Sequence, residues 1–81
     1  MSIITSEQIR AGKAMLRWSG EDLALQSGVS LSTIRRVEAC SGVPDGQNIK
    51  TLIAISEALQ NAGIEFIGTP EDCPGVRIKK S

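Results

Sequence analysis

Apolar residues follow helical spacing over the first three quarters of the chain. Ile9 and Leu16 lie seven positions apart, and Lys13 falls between them on the same otherwise apolar face. Leu52 and Leu59 repeat the seven-residue spacing in the most hydrophobic segment of the chain. The pattern predicts four helices, at about residues 6–17, 20–27, 30–39 and 48–61.

Residues that start and stop helices lie at the ends of these segments. Thr5 with Gln8, and Ser19 with Asp22, have the three-residue spacing of a capping box, in which two side chains satisfy the first backbone N–H groups of a helix. Gly28 is expected to end the second helix, because glycine adopts the left-handed conformation there without strain. The helix boundaries are therefore predicted by two independent signals, spacing and capping.

The pattern changes from helical to alternating after residue 63. Ile64–Ile67 and Val76–Lys79 read as strands, and the segment 68–75 between them is rich in glycine and proline. An isolated two-stranded hairpin is marginal in water, so this one must pack on the helices or pair with another chain. The predicted fold is mainly α: a compact four-helix bundle over about 5–62 and a short C-terminal β-hairpin over about 64–80, in one domain of residues 1–81.

Charge is balanced overall but unevenly distributed. Nine basic residues oppose nine acidic ones. Between positions 10 and 36 five basic residues stand against two acidic ones, whereas between 37 and 76 one lysine stands against six acidic residues. A basic first half suggests that one face of the protein meets phosphate and another does not.

Several functions are disfavoured by composition. The chain has no histidine, and Cys40 and Cys73 are far apart in sequence, which excludes most zinc sites and any assembled nucleophile and base. The two cysteines form either one disulfide or two reduced thiols. No segment has the length and apolar character of a membrane span or a leader peptide, so we expect a cytoplasmic protein that is not an enzyme, uses no cofactor and has no membrane role.

Residues 20–38 have the properties of a unit that reads DNA. A helix that enters the major groove needs a second helix braced across it, small residues where the two helices meet, and apolar residues that hold it to the core. Ala24 provides the small contact and Gly28 the turn. Val29, Ile34 and Val37 provide the apolar anchors. The bundle is therefore predicted to contain a helix-turn-helix with residues 30–39 as its recognition helix.

The run 18–38, WSGEDLALQSGVSLSTIRRVE, resembles the helix-turn-helix of the Xre, Cro and phage C1-repressor family of transcriptional regulators. The resemblance covers about residues 9–59, and the hairpin is similar to the tail of some short regulators of this type. The residues that match the family pattern are Leu23, Ala24, Gly28, Val29, Ser30, Thr33, Ile34 and Glu38. The resemblance implies a repressor-like fold and sequence-specific DNA binding.

The resemblance also implies which residues contact DNA. Ser30, Leu31, Ser32 and Arg36 fall on the positions that the family uses to reach bases, with Arg35 beside them. Thr33 is expected to touch a phosphate or to remain structural. Arginine can make a bidentate contact with guanine, and leucine can lie against a thymine methyl group. An ordinary solvated helix face is the alternative for the two arginines.

The chain departs from the family pattern at two places. Gly20 stands where many members carry a glutamine that grips phosphate or base, and Lys13 stands where many carry an arginine that pairs with the glutamate closing the third helix. An ion pair between Lys13 and Glu38 is therefore expected, which would explain a lysine on an apolar face. Weaker candidates for phosphate contacts, with solvated surface as the alternative, are Arg10, Arg17, Asn48 and Lys50.

The sequence thus favours a transcriptional regulator that binds double-stranded DNA as a homodimer on a pseudo-palindromic site. The dimer contact falls on the outer face of the fourth helix or on an edge of the hairpin, Ile64–Ile67 or Val76–Lys79. The alternative is a protein-binding module, such as an antitoxin or an adaptor that kept the fold while its main partner became a protein. Net neutrality and the absent glutamine at position 20 favour this alternative slightly.

Overall fold

Four α-helices and a two-stranded antiparallel hairpin make up the part of the chain that the computed structural model describes, residues 4–44 and 49–79. In chain order the elements are α1 (Ser6–Met15), α2 (Gly20–Ser27), α3 (Leu31–Ala39), α4 (Ile49–Asn61), β1 (Ile64–Thr69) and β2 (Asp72–Ile78). The mainly helical fold with a C-terminal hairpin is as the sequence predicts. The predicted helix start at Asn48 and the predicted end of the hairpin at Lys80 lie outside the described residues.

Both predicted capping boxes are present. The Thr5 hydroxyl accepts from the Gln8 backbone N–H group at 3.1 Å while the Gln8 side chain accepts from the Thr5 backbone at 2.9 Å. Ser19 and Asp22 make the same reciprocal pair at the start of α2, whose bounds coincide with the prediction. Gly28 ends α2 with φ at 74°. Local capping chemistry therefore determines where these helices begin and where α2 ends.

Helix α1 is shorter than the spacing predicts, because it ends at Met15 instead of Arg17. Arg17 adopts a left-handed conformation with φ at 58°. Its N–H group donates to Ala14, and the N–H group of Trp18 donates to the Lys13 carbonyl oxygen at 2.9 Å. This is the hydrogen-bond pattern of a Schellman motif, with arginine at the position that glycine usually occupies.

The core is aliphatic and lies between the helices, with the hairpin covering one side. Leu52, Ile55 and Leu59 bring the buried face of α4 into it, whereas Ile49 at the start of α4 is more than half exposed. Trp18 and Phe66 pack against its margin. The buried apolar residues are Ile4, Ile9, Leu23, Ile34, Val37, Leu52, Ile55, Ala58, Leu59 and Ile64. No helix among the described residues is long and apolar enough to cross a membrane.

The two strands are longer than predicted and the turn between them is tighter. The ladder pairs Ile64 with Ile78 and continues, through an irregularity after Ile67, to Thr69 and Asp72. The predicted loop 68–75 is therefore mostly strand. Gly68 and Cys73 both have positive φ, and a Cβ atom on Gly68 would lie directly against the Cys73 carbonyl oxygen. These two left-handed residues bend the chain enough to let pairing resume beyond the bulge.

Gln8 attaches the hairpin to α1. Its amide nitrogen donates to the carbonyl oxygens of Ile67 at 3.2 Å and Gly75 at 2.9 Å, while its amide oxygen completes the capping box with Thr5. The side chain is almost fully buried. One glutamine side chain thus bonds the first backbone N–H group of the α1 cap and two carbonyl groups of the sheet. These bonds to α1 help to stabilise a two-stranded hairpin that would be marginal alone.

We expect Gln8→Glu to destabilise the protein by about 2 kcal/mol or more, because a carboxylate keeps the acceptor for Thr5 but turns an oxygen toward two carbonyl oxygens. Urea unfolding at neutral pH measures the change. Gln60→Glu, at an exposed position of α4, is the matched control and should stay within about 0.5 kcal/mol of the unsubstituted protein. Equal stability of the two variants would show that the Gln8 amide does not anchor the hairpin.

Glu7 ties the start of α1 to the loop that follows α3. Its carboxylate accepts from the Gly42 backbone N–H group at 3.0 Å and from the Ser41 hydroxyl at 3.3 Å. Hydrogen bonds from its own backbone N–H group and from that of Gly42 hold the pKa of this carboxyl below its ordinary value. Ser6 adds a backbone bond to the Gly42 carbonyl oxygen at 2.8 Å. The loop that follows α3 is thereby held against the start of α1.

Candidate nucleic-acid interface

Helices α2 and α3 are joined by only three residues, Gly28, Val29 and Ser30. The left-handed Gly28 turns the chain, and Val29 packs against the core. Ser30 is the N-cap of α3, and its hydroxyl accepts from the Thr33 backbone N–H group at 3.3 Å. Because Leu23 on α2 and Ile34 on α3 are both fully buried, the two helices share the core directly beneath this turn.

Helix α3 has one side fully in the core and the opposite side in solvent. Ile34 and Val37 have no exposed surface, and Ser6 donates a hydrogen bond to the Val37 carbonyl oxygen at 2.6 Å. The residues on the solvent side, called here the exposed arc, are Ser32, Arg35, Arg36 and Ala39. Helical spacing puts Ser32 and Ala39 near the middle of this arc, with Arg35 on one flank and Arg36 on the other.

Arg36 belongs to a short chain of hydrogen bonds along α3. Its guanidinium donates to the Thr33 hydroxyl at 3.2 Å, and the Ser30 hydroxyl donates to the same oxygen at 2.9 Å. Ser32 lies within 3.3 Å of the Ser30 hydroxyl. Four of the six residues predicted to contact DNA are thus connected to one another. Thr33 is half-buried and holds Arg36, which is a structural role as well as a place near the interface.

Arg35 lies on the other flank, at the rim of a groove between α1, α2 and α3. The groove has a volume of about 370 Å³. It contains two basic and two acidic side chains, so its own charge is balanced. The residues that line it are Lys13, Gly20, Glu21, Leu31, Arg35, Glu38 and Ala39.

Leu31 faces this groove and is half-buried. Its Cδ1 atom would lie 3.3 Å from a Cβ atom placed on Gly20. That separation is closer than most carbon contacts in proteins, so the absence of a side chain at position 20 lets α2 approach α3. The close packing of Leu31 therefore explains why glycine is favourable at position 20. Leu31 contacts the protein on one side and borders the exposed arc on the other.

The predicted ion pair between Lys13 and Glu38 is confirmed. The Lys13 ammonium lies 2.5 Å from the Glu38 carboxylate, and the two side chains are only 20% and 14% exposed. The pair joins the last turn of α1 to the last turn of α3. It lets a lysine occupy an otherwise apolar face, because its charge is partnered where water is scarce.

Arg10 makes a second connection to the end of α3. Its guanidinium donates to the Glu38 carbonyl oxygen and, at 3.2 Å, to that of Cys40, and it lies 3.7 Å from Glu7. A cation at a helix C-terminus is favourable because it satisfies the last carbonyl groups and opposes the helix dipole. Arg10 is a candidate for phosphate contact, and its guanidinium also bonds within the protein while 41% of the side chain remains exposed.

The other weak candidates are distributed differently. Arg17 is exposed at the left-handed end of α1, and Lys50 is exposed in the first turn of α4. Asn48 lies outside the described residues. Cys40 and Cys73 are both free thiols, and the Cys40 thiol donates to the Arg36 carbonyl oxygen at 3.3 Å. Among the described residues no three cysteine or carboxylate side chains are grouped so that they could hold a metal ion.

The sequence pattern did not reveal the structural roles of two α1 residues, Gln8 at the hairpin and Arg10 at the end of α3. Gln8 was interpreted only as a capping residue, and nothing in the local pattern signals its two contacts with the hairpin. The role of Arg10 has a partial signal, since it lies three residues before Lys13 and therefore on a neighbouring part of the α1 surface. The exposure of Ala39 follows from its position seven residues after Ser32.

Compared with models of known protein families and with curated proteins, the sequence matches none of them.

Proposed function

We propose that this protein is a sequence-specific DNA-binding transcriptional regulator in which α2 and α3 form a helix-turn-helix and α3 enters the major groove. The observation that carries the proposal is the two-sided character of α3. Two fully buried residues fix its inner side, whereas Ser32, Arg35 and Arg36 occupy its outer side with nothing of the described chain packed over them. A helix that reads bases needs this combination of a fixed axis and a free polar face.

Rigid attachment of α3 supports the same proposal. Its start is capped by Ser30, Ser6 donates to the Val37 carbonyl oxygen in its last turn, and its end is held by Lys13 and Arg10. Base readout needs side chains placed within a fraction of an ångström, and connections at three points along nine residues provide that placement. The ion pair also neutralises Glu38, so Arg35 and Arg36 dominate the charge of the exposed arc.

The two arginines have different surroundings and therefore different expected tasks. Arg36, held by Thr33 beside Ser32, is positioned to donate both N–H groups of its fork to a guanine. Arg35, at the rim of the groove, is positioned for a base edge or a phosphate at the margin of the site. We infer that the protein acts as a homodimer, so that two copies of α3 read half-sites roughly 34 Å apart.

Selection of bound DNA from a random pool tests the proposal. We expect the enriched sequences to contain a short pseudo-palindrome, and affinity for it to fall steeply with salt, because each neutralised phosphate releases counterions. The matched control is the same DNA with its half-sites scrambled, which should bind at least about 1,000-fold more weakly. A pool without enrichment, together with salt-independent capture of a protein partner, would instead favour the antitoxin or adaptor function.

A further inference from the structure

The hairpin has two outer edges, and the backbone groups on them can be identified from the register. The Lys79 N–H group donates to the Gly63 carbonyl oxygen at 2.7 Å, and Ile64 is the ladder partner of Ile78. In an antiparallel ladder, residue pairs alternate between those that bond each other and those that point their N–H and C=O groups outward. Val76 and Ile78 therefore direct their backbone groups to the outer edge of β2, as Ile64 and Phe66 do on β1.

No further strand among the described residues pairs with the outer edge of β2. Within residues 4–44 and 49–79, no hydrogen bond to the outward N–H or C=O groups of Val76 and Ile78 is present. Ile78 is 37% exposed, whereas Ile64, which begins the corresponding edge of β1, is 2% exposed and lies in the core. Pro74 falls on the outward side by the same alternation, the position that tolerates a residue without an N–H group. An unpaired strand edge of this kind is a template for another strand.

The β2 segment has an acidic end and a basic end. Glu71 and Asp72 precede or begin the strand, and Arg77 and Lys79 lie at its other end. When two copies of such a strand lie antiparallel, the acidic end of each meets the basic end of the other. The β1 segment lacks this property, because Glu65 is its only charged residue. The charge pattern thus favours β2 over β1 and favours a second copy of the same chain as the partner.

We propose that the outer edge of β2 pairs antiparallel with β2 of a second copy, centred on Val76, and that the two hairpins form one four-stranded sheet. In this register the backbone N–H and C=O groups of Val76 in the two copies hydrogen-bond each other. Each Ile78 N–H group donates to the backbone carbonyl oxygen of the partner's Pro74. Lys79 lies opposite the partner's Cys73, one position from the residue at which the partner's strand begins. The inference specifies the dimer of the proposed function and rests on it only for its biological purpose, since pairing needs no DNA.

Two charge-reversed variants test this interface directly. Lys79→Glu with Lys80→Glu makes both ends of the strand segment acidic, because Arg77 alone then stands against two new carboxylates. Glu71→Lys with Asp72→Lys makes both ends basic. Sedimentation of the free protein should give twice the 8.6 kDa chain mass for the unsubstituted protein. Each variant alone should dissociate about 100-fold more readily, and an equimolar mixture should recover the dimer, because acidic and basic ends then meet in every pair.

A cross-link gives an independent measurement if either variant fails to fold by circular dichroism. In a Cys40→Ser background, Lys79→Cys places a thiol opposite the partner's Cys73, at a separation that a disulfide can span. Mild oxidation should convert this variant to a covalent dimer and leave the chains of the Cys40→Ser, Gln60→Cys control mainly without a cross-link, as denaturing electrophoresis would show.

Three outcomes overturn the inference: an unsubstituted protein that is monomeric, charge-reversed variants that remain dimeric alone, or a mixture that stays monomeric. Failure here is separable from failure of the proposed function. If the protein is monomeric but still selects a specific half-site, the proposed β2 interface is wrong and the proposed DNA binding stands. If the protein is a dimer that selects no DNA, the proposed interface stands and the proposed DNA binding is wrong.

Discussion

Replacing both arginines of the exposed arc, Arg35→Ala with Arg36→Ala, should reduce affinity for the selected DNA at least about 100-fold. A bidentate contact between arginine and guanine discriminates by roughly 1–3 kcal/mol, and the pair also supplies most of the charge that α3 presents. The fold should be unaffected, because both side chains are exposed and, within residues 4–44 and 49–79, the one hydrogen bond between either guanidinium and another side chain is that of Arg36 with Thr33. Fluorescence anisotropy measures affinity, and circular dichroism measures helix content.

A charge-matched control distinguishes recognition of the bases from non-specific electrostatic attraction to DNA. Arg35→Lys with Arg36→Lys keeps two positive charges and removes the planar forks that match guanine. We expect this variant to keep non-specific binding with a similar salt dependence and to lose preference for the selected site. If the alanine variant binds the selected DNA as tightly as the unsubstituted protein, the reading surface lies elsewhere on the molecule.

Removing the cation from the partly buried ion pair, Lys13→Met, should destabilise the protein by about 2 kcal/mol. Exposed pairs are worth about 0–1 kcal/mol, whereas loss of one partner from a buried pair costs about 3–5 kcal/mol. The pair between Lys13 and Glu38 lies between these limits. Methionine preserves the packing of the lysine stem, so the loss reports mainly the Glu38 carboxylate left without its partner. Urea unfolding gives the free energy difference.

Lys79→Met is the matched control for this substitution. Lys79 is mostly exposed and lies 3.9 Å from Glu65, so in protein dilute enough to be monomeric its loss should change stability by less than about 0.5 kcal/mol. The reversed pair, Lys13→Glu with Glu38→Lys, should recover part of the stability that either single reversal loses. Equal unfolding free energies for Lys13→Met and Lys79→Met would mean that the ion pair contributes nothing to holding α3.

Features governed by nearby residues were predictable from the sequence. Thr5 and Ser19 cap α1 and α2 as expected, since a capping box involves residues only three positions apart. The ion pair between Lys13 and Glu38 was predictable for a different reason. A charged residue on an apolar face requires a partner, and the family resemblance indicated which one.

Features that depend on distant residues were not predictable in this way. The Gln8 amide contacts carbonyl groups 59 and 67 positions away, and no local pattern encodes that distance. The length of the strands was underestimated because Cys73 adopts a left-handed conformation that cysteine rarely takes. Leu31 was expected to reach the bases of DNA. Its half-buried position follows from the bare backbone of Gly20, which only the assembled structure brings beside it.

The crowded backbone at Gly68 restricts how this protein can evolve. No side chain fits between that α-carbon and the Cys73 carbonyl, and φ at 74° disfavours residues other than glycine even where space permits. The neighbouring turn residues Pro70 and Glu71 are exposed and carry no such restriction. Among diverging descendants of this chain, position 68 should therefore stay glycine while the tip beside it varies, and a lineage that loses this glycine should rebuild the hairpin with a different length of turn.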